Sequence, residues 1–435
     1  MYRKELRKLR SGMRFSLWAM AAISIPFALL AIRFTHWLDD QIGWTWLDFG
    51  PQGAQAMLQT TVTACLSFLV FTFGSLLVAI QVASGQMTPR IIATILLRNN
   101  VIRATVGLFM FTLLFGIGVQ NRLEGQVNHL PLFIASVLCV TCFAVFLFLI
   151  DYASRLLRPI SILTHVATDG LAVIESDYPQ PSEGPANVAH VARLSPPPDR
   201  VVEHQGTSAI VLAVDTERAK REAKRLGGVI EFAPQVGDFV GVDEPLFYLY
   251  DGAKNADEAV LRSCVIFGSE RTMEQDPTFA FRIVVDIALK ALSPAINDPT
   301  TAVLAVDQLH RMLRSVGRRH LRTDEMADEN GDLRVILRTP NWEDFVHLAL
   351  SEIRMCGASN MQIARRLRAM IENLEQTLPD HRHAALRLQL QLLDRDLERV
   401  YPNREDLELA RIADPQGLGG SSGKSARPVG VHRAA

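Results

Sequence analysis

Four apolar stretches occupy positions 15–38, 56–85, 101–119 and 130–149, all within the first part of the chain. About 20 helical residues span a hydrocarbon core of roughly 30 Å, and inside lipid a lone segment satisfies its backbone polar groups only as a helix. The spacing predicts an α-helical membrane domain with four transmembrane helices over residues 1–158. A C-terminal cytosolic α+β domain, with a small β module and a helical subdomain, is expected to follow.

Charge sets the expected orientation. Arg3, Lys4, Arg7, Lys8, Arg10 and Arg14 precede the first stretch, Arg90, Arg98 and Arg103 lie between the second and third, and Arg155 and Arg158 follow the fourth. The first opposite loop holds Asp39, Asp40 and Asp48 with no Lys or Arg, and the second sets Arg122 against Glu124. Positive residues mark the cytoplasmic side, so both termini are expected there, with Trp18, Trp37, Trp44 and Trp46 near the interfaces. A basic start before an apolar run with Ala28 and Ala31 also fits a signal peptide. That run is long for one, and cleavage would leave three crossings against the charge pattern.

The second stretch is the one with chemistry on it. At helical spacing Thr60, Thr63, Ser67, Phe71, Gly74, Val78, Gln81, Gly85 and Thr88 fall within an arc of about 100°. Such a polar stripe is expected to face protein or water rather than lipid. It serves either helix packing, within or between copies, or the lining of a hydrated path in an oligomer. Ser75, Ala79 and Ala83 form a neighbouring row of small residues that suits close helix approach. No stretch has a central Asp, Glu, Lys or His, which argues against transport driven by an intramembrane acid. Gly85 and Pro89 predict a bend at the cytoplasmic end.

A net charge of -1 and a pI near 6.8 exclude a generally basic, nucleic-acid-binding chain. The five cysteines form no disulfide framework. Cys65, Cys139 and Cys142 lie in apolar stretches, and Cys264 and Cys356 suit a reducing cytosol. Cys139 and Cys142 have C-x-x-C spacing, read as small packing residues on a lipid-embedded helix.

Residues 159–205 read as a connecting helix and a linker rich in Pro, Ser and Gly. Within 206–252, strand patterns at 208–214, 229–233 and 244–250 surround a charged helix at 216–226. Pro234-Gln235-Val236-Gly237-Asp238-Phe239-Val240 resembles the Gly-Asp turn of biotinyl and lipoyl domains, without their modified lysine. Residues 253–413 read as mainly helical, with a strand at 333–338. Leu386, Leu390, Leu393, Leu397 and Val400 form a short leucine seam for packing within the subdomain or between subunits. Residues 414–435 read as a disordered tail.

The densest polar constellation is Arg271, Thr272, Glu274, Gln275, Asp276, Arg282, Asp286, Asn297 and Asp298. Asp298 before Pro299 fits a helix N-cap followed by a first-turn proline. Together with the four stretches and the segment 79–90, Arg271-Thr272, Gln275-Asp276 and Ala291-Leu292-Ser293-Pro294-Ala295-Ile296-Asn297-Asp298-Pro299 resemble the bacterial membrane-protein family catalogued as domain of unknown function 2254. The resemblance covers nearly all of the chain to about residue 410. It implies a multi-pass protein of the bacterial inner membrane and supplies no catalytic residues.

The polar constellation serves as structural caps and ion pairs, or holds a ligand or ion. No P-loop, H-E-x-x-H, G-x-S-x-G or EF-hand spacing is present, so no catalytic residue, metal or cofactor is assigned. The partners expected are membrane lipid and further copies of the chain in a homo-oligomer, with no nucleic acid and a cytosolic ligand or protein left unidentified. Two functions lead: an oligomeric ion channel or solute-permeation protein with a cytosolic regulatory domain, or a noncatalytic membrane sensor or scaffold. A small membrane-associated enzyme, which would need Arg271 to Asp298 to converge in one cleft, ranks third.

Overall fold

A computed structural model describes residues 17–42, 50–86, 99–121, 129–156, 158–182, 197–273, 276–321 and 324–420. The chain divides into two compact units, residues 1–161 and 162–435.

The first unit is helical: α1 (Leu17–Ile42), α2 (Pro51–Gln86), α3 (Asn100–Gln120) and α4 (His129–Leu156). By length and composition α2, α3 and α4 are able to cross a membrane. The fourth expected crossing corresponds to α1, a helix of 26 residues with Pro26 inside. Helix α3 packs against all three others. Gly118 permits its approach to α1, because a Cβ there would lie 2.1 Å from the Ile32 Cδ1.

Polar groups pin the helix ends. Asn99 caps α3 by accepting from the Val101 amide at 2.9 Å, and its Nδ2 donates to the Tyr152 hydroxyl of α4 at 2.8 Å. The Asp39 carboxylate, near the end of α1, accepts the Leu130 amide at 3.1 Å and so caps α4. These contacts satisfy amide groups that a helix start leaves open.

In the second unit, α5 (Pro159–Asp177) continues from the last residues of the first. Strands β1 (Arg200–Glu203), β2 (Ala209–Val214), β3 (Gly228–Phe232), β4 (Phe239–Val240), β5 (Pro245–Asp251), β6 (Val265–Gly268), β7 (Glu325–Ala327) and β8 (Leu333–Leu337) make two sheets. Their orders are β1-β5-β3-β8-β7 and β4-β2-β6. All pairings are antiparallel except that of β3 with β8. Helix α6 (Thr216–Leu226) buries Ala219 and Ala223 in the core that both sheets share with Ile230, Phe247, Val211 and Val265. A short α7 (Glu258–Arg262) precedes β6.

The remaining helices are α8 (Pro277–Ala291), α9 (Pro299–Gly317), α10 (Trp342–Gly357), α11 (Met361–Thr377), α12 (His383–Val400) and α13 (Arg404–Ala410). Helix α8 is buried along most of its length, from Ala280 to Ala291. Gly170 lets α5 lie close to it, since a Cβ there would meet the Ala280 Cβ at 2.6 Å.

Three expected boundaries change. The β module is not confined to 206–252, because β1 arises within the expected linker, β6 and β7 within the expected helical subdomain, and β8, the strand expected at 333–338, pairs with β3 of the module. Strand pairing is long-range, so hydrophobic alternation locates a strand without naming its neighbour. The chain from 414 to 420 is held rather than disordered. Buried Arg365 donates to the carbonyls of Ile412 at 3.0 Å and Gly419 at 2.8 Å, and buried Asp414 accepts the Gly419 amide at 2.6 Å. Its Gly and Pro content misled because a side chain far earlier in the sequence, Arg365, supplies the bonds; residues 421–435 lie outside the described residues. The leucine seam packs inside the unit, with Leu386, Leu393 and Leu397 buried and α12 lying on α10 and α11.

Candidate functional site

The α2 stripe lies on the helix face that this chain leaves open. Ala54, Leu58, Thr61, Cys65, Leu69, Thr72 and Leu76 form the buried face, recurring every three or four residues. Thr60, Thr63, Ser67, Gly74, Gln81 and Gly85 are all exposed. A Cβ at Gly74 or Gly85 would meet no atom within 4 Å. Packing among the described residues of one chain therefore does not account for the stripe. Thr88 lies outside the described residues.

Two details grade the stripe. The Thr60 hydroxyl donates to the Ala56 carbonyl and the Ser67 hydroxyl to the Thr63 carbonyl, both at 2.8 Å, so these groups are satisfied by their own helix. Gln81 has a primary amide that a helix cannot satisfy in this way, and it is the strongest polar feature of the face. Phe71 interrupts the stripe by packing edge-on to Phe146 of α4, with centroids 5.5 Å apart.

The second-unit constellation separates into three local sets. Arg282 binds Asp286 one turn along α8 and takes Glu352 of α10 with two nitrogens, at 2.5 and 3.1 Å. That pairing holds the Glu352 carboxyl below its ordinary range. Asn297 and Asp298 belong to the α8–α9 connection. Asn297 takes φ of 47°, the Asp298 amide donates back to the Ala291 carbonyl at 2.8 Å, and the Asp298 carboxylate caps α9 through the Thr301 amide and hydroxyl. The motif that carries the family resemblance is thus a tight turn between two buried helices.

The third set joins segments that are distant in sequence. Asp276 caps α8, accepting from the Thr278 hydroxyl and from the Phe279 amide at 3.1 Å. Gly237, in the Gly-Asp turn between β3 and β4, packs on it: a Cβ there would lie 2.7 Å from Asp276 Oδ2 and 3.6 Å from the Arg271 guanidinium. With φ of 95°, Gly237 also needs the conformational freedom of glycine. Burial raises the Asp276 carboxyl above its ordinary range, against the pull of those hydrogen bonds and of Arg271. Nearby in sequence, the Thr272 hydroxyl is buried with no hydrogen-bond partner among the described residues. Glu274 and Gln275 lie outside the described residues. No group of three His, Cys, Asp or Glu suited to a metal occurs among those described.

Sequence reasoning passed over a second feature, the arginines of α11. Arg365 holds the C-terminal segment, Arg366 bonds Asp307 of α9 at 2.6 Å, and Arg368 bonds Asp394 of α12. Three arginines within four residues of an amphipathic helix were the available signal. The chemistry they perform is anchoring, since each takes a carboxylate or carbonyl from a different neighbour.

The profile of a family described as "Predicted membrane protein" and catalogued as domain of unknown function 2254 matches residues 14–373. The chain belongs to this family. Uncharacterised proteins of Mycobacterium bovis and of two strains of Mycobacterium tuberculosis are each 25% identical to it, covering 82% of this chain and 70% of theirs. No solved structure matches the chain. The family match ends within α11, so the stripe, the Gly237–Asp276 contact and the α8–α9 turn all lie inside it.

Proposed function

We propose that this membrane protein assembles from several copies in a bacterial inner membrane and that the α2 stripes, turned toward a shared axis, line a path for ions or small solutes. The observation carrying this reading is the placement of Thr60, Thr63, Ser67, Gly74, Gln81 and Gly85 on the open face of α2, opposite a face already filled by its own chain. In lipid an exposed primary amide such as Gln81 lacks partners, and a neighbouring copy or water removes that cost. Helix α1 serves as the fourth crossing, and the Lys and Arg distribution puts both termini in the cytoplasm. The second unit then acts as a cytoplasmic regulatory domain.

A noncatalytic sensor or scaffold is the second reading. It draws on Arg271, which is exposed, beside the Gly237–Asp276 contact, as a place where an anionic cytosolic ligand or protein segment would find a guanidinium.

Ion flux into liposomes containing the purified full-length protein separates the two. The path reading expects flux in the wild type that Gln81→Leu and Gly85→Leu each alter, with Ser67→Cys giving disulfide-linked dimers under mild oxidation. Correctly inserted protein that passes no ions or small solutes across a range of conditions, and that yields no such dimers, transfers the assignment to the sensor or scaffold.

A further inference from the structure

The charges on α6 are poorly explained by the fold around them. Its eleven residues, Thr-Glu-Arg-Ala-Lys-Arg-Glu-Ala-Lys-Arg-Leu, carry Arg218, Lys220, Arg221, Lys224 and Arg225. Ala219 and Ala223 point into the core, while Glu217, Arg218, Arg221, Lys224 and Arg225 are exposed and Lys220 is half-buried. Local structure accounts for the two C-terminal cations: Lys224 pairs with Glu329 at 3.1 Å, Arg225 pairs with Glu222 at 2.6 Å, and both complement the negative end of the helix dipole.

It does not account for the other three. Arg218 stands in the first turn, where the dipole disfavours a cation. Neither Arg218 nor Lys220 makes a close ion pair with a carboxylate among the described residues, Arg218 acting on Glu222 only through space, and the Arg221 Nε donates only to its own helix, at the Glu217 carbonyl. An amphipathic helix with a basic face of this kind attracts anionic surfaces. The apolar helices of the same chain keep a bilayer tethered to this unit, which raises its local concentration far above that of any free polyanion.

We propose that the outer face of α6, centred on Arg218, Lys220 and Arg221, docks on the anionic headgroups of a phospholipid bilayer. The attraction is electrostatic and shallow: Ala219 and Ala223 are the small residues of the helix and are already spent on the core, leaving no apolar side chain to insert. Docking therefore depends on anionic lipid content and on salt, and it supplies a way for the state of the membrane surface to reach the β-sheet unit.

The test is amine-reactive footprinting of the full-length protein in nanodiscs, read by mass spectrometry at Lys220 and Lys224, with Lys254 as the internal reference. The discs contain either phosphatidylcholine alone or phosphatidylcholine with phosphatidylglycerol. The expected result is labelling about fivefold slower or more at Lys220 and Lys224 in the anionic discs, a factor that corresponds to about 1 kcal/mol, the attraction of one basic residue to an anionic surface. Lys254 is unchanged, and the protection disappears at about 1 M salt, where the Debye length is ~3 Å. Arg218→Glu with Arg221→Glu removes the protection while Lys254 reports an intact fold. Equal rates in the two lipids overturn the proposal, as does protection that survives high salt or the double substitution. Protection produced only by added RNA overturns it in favour of a nucleic-acid surface.

Discussion

Helices α2 and α11 handle polar side chains in opposite ways. In α11 the arginines are buried, and Arg365, Arg366 and Arg368 reach three different neighbours. In α2 the buried face is mostly apolar, and the row containing Thr60, Ser67 and Gln81 faces outward. In water, an outward polar face is the ordinary arrangement and an inward one needs partners. In a membrane the preference reverses, because lipid offers no hydrogen bonds. Helix α11 therefore finds its polar partners within one chain, whereas the open face of α2 packs against no other described element, with Thr60 and Ser67 bonded to their own helix.

The comparison breaks most visibly at Arg365. Arg365→Leu leaves the partly buried Ile412 and Gly419 carbonyls without their donor, and it is expected to cost about 2–5 kcal/mol, at ~1–3 kcal/mol for each unsatisfied acceptor. Thermal unfolding in detergent measures it; a loss below ~1 kcal/mol would mean that the C-terminal segment is not anchored as described. Gly170→Ala follows, at about 1–3 kcal/mol, because the new methyl collides with the Ala280 methyl and neither has a torsion to relieve it. Asp298→Ala is expected to cost ~1 kcal/mol through the lost α9 cap, and Asp298→Asn is expected to retain most of that stability.

Protonation offers a sharper probe of the α11 neighbourhood. His310 of α9 bonds Asn373 at 2.9 Å, and Arg366, Arg314 and Asp307 contribute the charges around it. Burial, reinforced by Arg366, lowers its pKa below the ordinary value. The unfolded chain takes up that proton more readily than the folded one. Stability is accordingly present above about pH 6.5 and is lost as the pH falls through that value toward the lower folded pKa. Unfolding midpoints of the wild type are expected to fall between about pH 7 and 5 more steeply than those of His310→Gln. Parallel slopes would remove His310 from the explanation.

The smallest effect is expected on the open face of α2. Ser67→Leu and Gln81→Leu are predicted to change the stability of the isolated protomer by no more than about 0.5 kcal/mol, since neither side chain packs within its own chain. A cost above ~1 kcal/mol in monodisperse detergent would show that the face is covered by its own chain and would erase the contrast with α11.

Much of the architecture was legible locally. The apolar stretches matched four helices, with ends within a few residues except where α2 begins earlier, at Pro51, and α4 ends later, at Leu156, and the Asp298 cap and Pro299 start stood where their chemistry requires. Strands β2, β3, β5 and β8 followed from alternation. The short strands β1, β4, β6 and β7 carried too little pattern to separate them from loop. The stripe was visible as an angular cluster, but helical spacing alone does not say whether such a cluster faces neighbour, water or lipid. The polar constellation was overgrouped: Arg282, Asp276 and Asp298 are neighbours in sequence with separate partners in space.

Sequence by itself determined that this chain has helices able to cross a membrane, where most of its elements begin and end, and which helix carries polar residues in an apolar setting. These properties depend on local hydropathy, backbone periodicity and capping, all of which act within one or two turns. Only the tertiary structure decided which face of α2 stays open, that Gly237 rests on Asp276, and that Arg365 holds the segment up to Gly419. Those outcomes depend on which distant segments meet, and the free energy that selects them comes from burial and hydrogen bonding between residues tens of positions apart.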